Sequence, residues 1–437
     1  MPYRLTVLGT GYLGATHAAC MAELGFEVLG LDVDQSKVER LQRGELPIHE
    51  PGLEELLRRN LDSGRLRFTT SYEEAAKFGD VHFICVGTPQ KKDGYAADVS
   101  YLDAVVESLA PYLDRECLVV GKSTVPVGTA ERLADKLVRL SPAGMQVELA
   151  WNPEFLREGF AVQDTLHPDR IVLGVVSERA EKVLRDVYAR LGEVPIVVTD
   201  FPTAELVKSA ANAFLATKIS FINAMAEVCE AAGGDVTQLA QALSYDERIG
   251  GRYLNPGLGF GGGCLPKDIR AFTARADELG ATNALAFLRE VDEINMRRRS
   301  RTVDLTRDIL GGPFEGRRVA VLGAAFKPNS DDIRDSPALD VAVKIAEQGG
   351  HVTVCDPAAL PNARRAYPHL GYAESAMEAA EGAEIVLLLT EWPEFVGLDP
   401  EELGATVAAR VILDGRNALD TESWRDAGWD YHALGRP

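Results

Sequence analysis

Short apolar runs of four to six residues recur along the chain, at 5–8, 26–31, 81–86, 117–122 and 149–152. Without polar alternation, such runs predict strands buried on both faces, as in a parallel sheet covered by its crossover helices. The pattern then changes. Residues 203–232 are one long run of helix formers with few breakers, closing at Gly233-Gly234, which predicts a single long helix. Beyond Gly311-Gly312-Pro313 the short runs return, at 318–322, 351–356, 385–389 and 411–413. The expected fold class is α/β, with two Rossmann-like α/β domains whose open sheets are mostly parallel, joined by a central helical region with a long spine helix. Expected domain bounds are 1–200, 201–310 and 311–437.

Composition narrows the partners. A chain of 437 residues exceeds what one core usually organises, which agrees with several domains. A formal net charge of -20, with no cluster of Lys and Arg, argues against a nucleic-acid partner. No apolar stretch reaches bilayer length, and residues 5–9 run into a glycine turn too soon for a signal peptide. Six dispersed cysteines without a CxxC pair suggest a reducing compartment, so a cytoplasmic protein with no membrane partner is expected. Seven scattered histidines show no metal-ligand spacing, and no metal is expected.

The first strand leads into Gly9-Thr10-Gly11-Tyr12-Leu13-Gly14, then an alanine-rich helical stretch, a second strand and Asp32. Strand, GxGxxG, helix, strand and acid together form the dinucleotide fingerprint. Its glycines permit a tight turn and close approach of a pyrophosphate to a helix N-terminus, and the acid accepts hydrogen bonds from the adenosine ribose. Asp34 beside Asp32, with no arginine following, would repel a 2′-phosphate, so NAD is favoured over NADP. Thr88 and Thr124 follow later strands, at the sheet edge where open α/β folds bind ligands.

Three further segments carry candidate chemistry. Gly259-Phe260-Gly261-Gly262-Gly263-Cys264-Leu265-Pro266-Lys267-Asp268 places a thiol among glycines with a lysine and an aspartate close behind. This suits a reactive cysteine, and equally a buried one packed as a small hydrophobe. Pro153 to Gly159 crowds Glu154, Arg157 and Glu158 into one loop, readable as a site or as a surface ion-pair loop. On the long helix Glu205, Lys208 and Asn212 share a face, which spacing alone reads as solvated exterior; the helix could also form a dimer seam. Arg297-Arg298-Arg299 likewise reads as solvated helix face.

With the fingerprint, the cysteine loop, the segment from Asn152 to Gly159 with Leu166-His167-Pro168-Asp169-Arg170, and the second α/β region in view, the chain resembles the UDP-glucose 6-dehydrogenase family over essentially its whole length. Relatives oxidising GDP-mannose or UDP-N-acetyl-mannosamine share much of the pattern. The resemblance implies that 1–200 binds NAD, that 201–310 carries the cysteine loop and a homodimer seam, and that 311–437 binds the UDP-sugar. It further implies two successive NAD-dependent oxidations of the sugar C6 alcohol to a carboxylate. Cys264 matches the nucleophile, Asp268 and Lys208 the proton-transfer pair, Lys208 and Asn212 the oxyanion donors, and Thr124 and Glu154 residues ordering the hydrolytic water. Cofactor positions include Tyr12, Leu13, Lys37, Thr88, Thr124, Glu158, Lys267 and Arg334. Substrate positions include Glu154, Phe155, Leu156, Lys208, Asn212, Arg252, Tyr253, Asn255, Gly257, Gly261, Lys327 and Arg416, with Arg248 reaching a neighbouring subunit's sugar. Two departures stand out: Gly263 where many relatives have serine, expected to loosen the loop, and Leu265 where glucose enzymes often have phenylalanine. An epimerase alternative would need a Tyr-x-x-x-Lys helix in the first domain, which is not seen, and has no use for Cys264.

Overall fold

The computed structural model describes residues 3–436, which divide into two compact units: the residues up to Ala211 with Arg270–Leu279, and Asn212–Ile269 with the residues from Gly280 on. In the first unit, β1 (Leu5–Leu8), β2 (Val28–Leu31), β3 (Leu66–Thr69), β4 (Val81–Ile84), β5 (Cys117–Gly121), β6 (Val147–Trp151), β7 (Ile171–Gly174) and β8 (Ile196–Thr199) form one sheet in the order β3-β2-β1-β4-β5-β6-β7-β8. Every neighbouring pair is parallel except β6 and β7, which meet antiparallel at Trp151 and Gly174. Both faces are covered, by separate cores, so inner strands such as Leu5–Leu8 and Val81–Ile84 are buried at every position. Helix α1 (Tyr12–Glu23) is buried from Gly14 through Ala22, as its alanine-rich, nearly unpolarised composition requires.

In the second unit, β9 (Arg318–Leu322), β10 (His351–Cys355), β11 (Gly371–Tyr372), β12 (Ile385–Leu388), β13 (Val411–Asp414) and β14 (Asp430–Ala433) form a wholly parallel sheet in the order β11-β10-β9-β12-β13-β14. Strand for strand this is the order of the first six strands of the other sheet. Helix α2 (Thr129–Leu140) follows β5. The expected spine is α3 (Phe201–Ala232), whose residues to Ala211 count with the first unit and from Asn212 with the second. Two more helices matter below, α4 (Leu265–Glu278) and α5 (Ala286–Ile309).

Two readings of helix faces are corrected. Glu205, Lys208 and Asn212 are buried, not solvated exterior. Arg298 and Arg299 are 0% and 2% exposed, and of the three arginines only Arg297 faces solvent. In both cases the charge is met by groups distant in sequence, which helical spacing does not report.

Candidate active site

Each glycine of the first turn has its own constraint. Gly9 lies at φ +89°, in the left-handed region that favours glycine, and a methyl on Gly14 would fall 1.8 Å from Gly9 O. Gly11 is exposed, and a methyl there would meet nothing within 4 Å. Its bareness therefore serves no packing within the chain and leaves the backbone open, as a pyrophosphate at the start of α1 requires. Asp32 closes the turn. Its Oδ2 accepts from Thr10 N at 2.9 Å and Lys37 Nζ at 2.9 Å, and its Oδ1 from Asp34 N at 3.1 Å. Burial opposes its ionisation, but the Lys37 ammonium and the backbone N–H groups outweigh this and hold the carboxyl below its ordinary value. These residues fit NAD.

Beyond the carboxyl ends of β4, β5 and β6 the first unit gathers polar groups. Thr88 Oγ1 donates to Thr124 O at 2.8 Å, joining two of the loops. Lys208 Nζ lies 3.2 Å from Glu154 Oε1 and 5.6 Å from the Phe155 ring centre, while Arg170 covers that ring at 3.8 Å. Glu154 Oε2 in turn accepts from Leu156 N at 2.5 Å. The loop read as a possible surface ion-pair loop thus does both: Arg157 pairs outward with Asp164, and Glu154 pairs inward with Lys208.

Several supports here carried no sequence signal. Glu50 accepts from Gly159 N and Ala161 N at 2.7 Å each and from Tyr12 OH, binding the Glu158 loop to the dinucleotide turn. Glu205 accepts from Gly128 N at 2.8 Å and Ala130 N at 2.7 Å, capping α2 from α3, and burial raises its carboxyl despite those bonds. Lys122, lowered by burial, donates to Asn152 Oδ1 at 2.8 Å just before Pro153-Glu154. A lone carboxylate or lysine outside a motif cannot be told from a surface charge.

In the second unit the cysteine loop is assembled around its glycines. A methyl would fall 2.4 Å from Asn295 Oδ1 at Gly259, 2.2 Å from Asp335 O at Gly261 and 2.7 Å from the Phe326 ring at Gly262. Gly263, expected to loosen the loop, gives its side-chain volume to the Arg334 guanidinium, 2.2 Å from where a methyl would sit. Cys264 is exposed, whereas the other five cysteines are buried. Its carbonyl accepts from Asp268 N at 2.9 Å in the first turn of α4. The buried Asp268 accepts from Asn212 Nδ2 at 2.7 Å and Lys267 Nζ at 2.5 Å, so four of the expected residues are tied together. Asn212 stands one helical turn after Lys208 on α3.

Of the expected substrate residues, Tyr253 sits at φ +66°, an uncommon conformation for a bulky side chain. Gly257 is buried, its N–H donated to Asn223 at 2.8 Å, while Arg252 and Asn255 are exposed. Lys327 follows Phe326 on the loop after β9. Arg416 is largely turned to the backbone, with Nε to Leu389 O at 2.7 Å, Nη1 to Gly259 O at 3.0 Å and Nη2 to Phe326 O at 3.3 Å. Arg248 is an exposed side chain paired with Asp246.

A doubly wound sheet whose first turn carries three glycines and whose second strand ends on a capped aspartate defines a dinucleotide-binding α/β protein. The family models of the UDP-glucose/GDP-mannose dehydrogenases match the NAD binding domain at residues 3–192, the central domain at 202–297 and the UDP binding domain at 320–421. The chain belongs to that family and is an NAD-binding oxidoreductase. It is 40% identical over 433 residues to the UDP-glucose 6-dehydrogenase of Rickettsia conorii, covering 99% of both chains. Among solved structures it is similar to a UDP-glucose dehydrogenase from Pyrobaculum islandicum, with 41% identity, TM-score 0.92 and coverage of 100% and 98%. It is also similar to the UDP-D-ManNAc dehydrogenase from Pyrococcus horikoshii, with 29% identity, TM-score 0.86 and 99% coverage of each.

Proposed function

We propose that this protein oxidises UDP-glucose at C6 to UDP-glucuronate in two NAD-dependent steps, through thiohemiacetal and thioester intermediates on Cys264. The observation that carries this reading is the exposed Cys264 at the start of α4, whose Asp268 is tied to Asn212 of α3 and to Lys267. NAD, when bound, accepts one hydride from C6 in each step. Between the steps the thiolate adds to the aldehyde carbon, making it tetrahedral and able to lose its remaining hydride. That loss gives a thioester, and water attacks it to release the acid and the thiol.

Lys208 and Asn212 serve as donors to the oxygen that gains charge in the additions, and Asp268 holds the proton exchanged with the thiol. Glu154 and Thr124 orient the water. Asp32 and Gly9 to Gly14 hold the cofactor, aided by Tyr12, Leu13, Lys37, Thr88, Glu158, Lys267 and Arg334. Phe155, Leu156, Arg252, Tyr253, Asn255, Gly257, Gly261 and Lys327 bind the nucleotide sugar. Arg416 has five N–H groups and uses three on backbone carbonyls, which leaves two for the substrate.

Glucose is favoured over other sugars by the 40% identity to a UDP-glucose enzyme, against 29% to the UDP-D-ManNAc enzyme. The reading includes a homodimer along α3, supported by Phe214, Phe221 and Val228, which are 67%, 48% and 56% exposed and spaced seven residues apart in one stripe. Arg248 would then reach the second copy's sugar. It also includes a cytoplasmic location, supported by the five buried free thiols.

The test compares turnover of UDP-glucose, GDP-mannose and UDP-N-acetyl-mannosamine, in the native protein and in Cys264→Ser. UDP-glucose should be preferred, and the variant should bind NAD yet lose acid formation by at least about a thousandfold. Preference for another sugar overturns the substrate, and full activity in the variant overturns the thioester.

A further inference from the structure

We propose that Asn295, Arg298 and Arg299 of α5 are positioning residues for the Cys264 loop, binding its backbone so that the thiol is presented at the start of α4. This deepens the thioester reading and rests on it for its consequence in turnover. The three side chains stand at i, i+3 and i+4 and share one helix face. All are buried, at 0%, 0% and 2% exposure.

Each of the three holds a backbone group of the loop, and the two arginines also meet Asp335 and Glu230 outside it. The Asn295 amide takes both ends of Phe260, accepting from its N–H at 2.7 Å and donating to its C=O at 3.0 Å. Arg299 Nη2 donates to the same Phe260 O at 3.1 Å and to Asp335 O at 3.2 Å, and its Nη1 donates to Asp335 Oδ1 at 2.8 Å. Arg298 Nε donates to Gly257 O at 3.3 Å, and its guanidinium lies 3.6 Å from Glu230.

A loop outside any helix or ladder must satisfy buried backbone groups elsewhere, and here one helix face supplies the partners. Gly259 fits this account, since a methyl would enter the Asn295 amide at 2.4 Å and open the clamp. Two buried guanidiniums are an unfavourable way to pack a helix face, because burial penalises the charge; Arg298 is pushed below its usual value for that reason. An apolar face would pack at lower cost, so what the arginines add is the fixed course of residues 257–260, four residues before the thiol.

The experiment uses the full-length protein and two variants that keep side-chain size. Asn295→Asp keeps the acceptor for Phe260 N–H and loses the donor for Phe260 C=O. Arg299→Lys keeps the buried charge but cannot span Phe260 and Asp335 together. Iodoacetamide alkylation of Cys264, followed by mass spectrometry without substrate, reports presentation of the thiol, because the other five cysteines are buried. Alkylation should slow at least about threefold in both variants, since a thiol released from a helix N-terminus loses that anion-favouring position. NAD affinity should be unchanged. With UDP-glucose, the share released as aldehyde should rise at least about fivefold.

Alkylation at the native rate in both variants overturns the proposal, and loss of NAD binding in both replaces it with a general folding role. Slowed alkylation supports it even if the native protein were to yield only aldehyde, a result that would refute the thioester reading separately. Should Asn295→Asp alone fail to bind NAD, Arg299→Lys decides.

Discussion

The two sheets share the strand order 3-2-1-4-5-6 but use the turn after their first strand differently. In the first unit β1 passes through Gly9 to Gly11 straight into α1, so free N–H groups of a helix lie beside an exposed, bare backbone at Gly11. In the second, β9 leads into a long loop, and the next helix starts only at Pro337. The acids after the second strands differ to match. Asp32 is held by Thr10, Lys37 and Asp34, whereas Asp356 accepts from four backbone N–H groups, at Ala324, Ala325, Ala358 and Ala359, and from Trp392 Nε1. One turn is left open for a cofactor; the other is sealed, and its loop brings Phe326 and Arg334 against the glycines of the cysteine loop. Topology alone does not make a dinucleotide site.

The largest effect expected from this contrast is in the sealed turn. Asp356→Ala strands five donors, four of them buried, so it should cost about 4 kcal/mol or more of unfolding free energy by denaturant titration, at roughly 1 kcal/mol or more per buried stranded group. Gly14→Ala should cost about 3 kcal/mol in the first unit, because its methyl meets a backbone oxygen that cannot move aside. Gly11→Ala should change stability by less than about 0.5 kcal/mol and weaken NAD binding at least about tenfold, measured by calorimetry. Equal stability losses for the two glycines would dissolve the distinction between packing and cofactor glycines.

Asp32→Asn should weaken NAD by about tenfold, as loss of a charged hydrogen bond does. Its pH dependence is smaller. Because folding lowers its pKa, ionised Asp32 adds stability that is fully present above its unfolded pKa of about 4 and fades as pH falls through the lower folded value. The difference between native protein and Asp32→Asn should thus be about 1 kcal/mol or less at neutral pH and close in acid. A difference that grows below pH 4 would reverse the assigned sign.

Much of this was legible in the sequence. Strands at 318–322, 117–121 and 5–8 lie where unalternating apolar runs put them, because inner strands of a covered sheet show period-free hydrophobicity. The fingerprint identified the first turn because its glycines are needed at fixed offsets. What was not legible was burial of charge. Arg298 and Arg299 look like a basic surface stripe, and their partners at Gly257, Phe260 and Asp335 lie about 40 residues away in either direction. Lys208 and Glu205 were misread for the same reason, and Glu50 lies in no recognisable motif. Gly263 was read as slack because its neighbour in space, Arg334, is 71 residues on.

The most direct test of the central claim counts NADH formed per UDP-glucose consumed, with the sugar limiting and NAD in excess, while the products are separated by chromatography. The two-step account predicts two NADH per sugar, with UDP-glucuronate as the product. One NADH with a released UDP-aldehyde would contradict it.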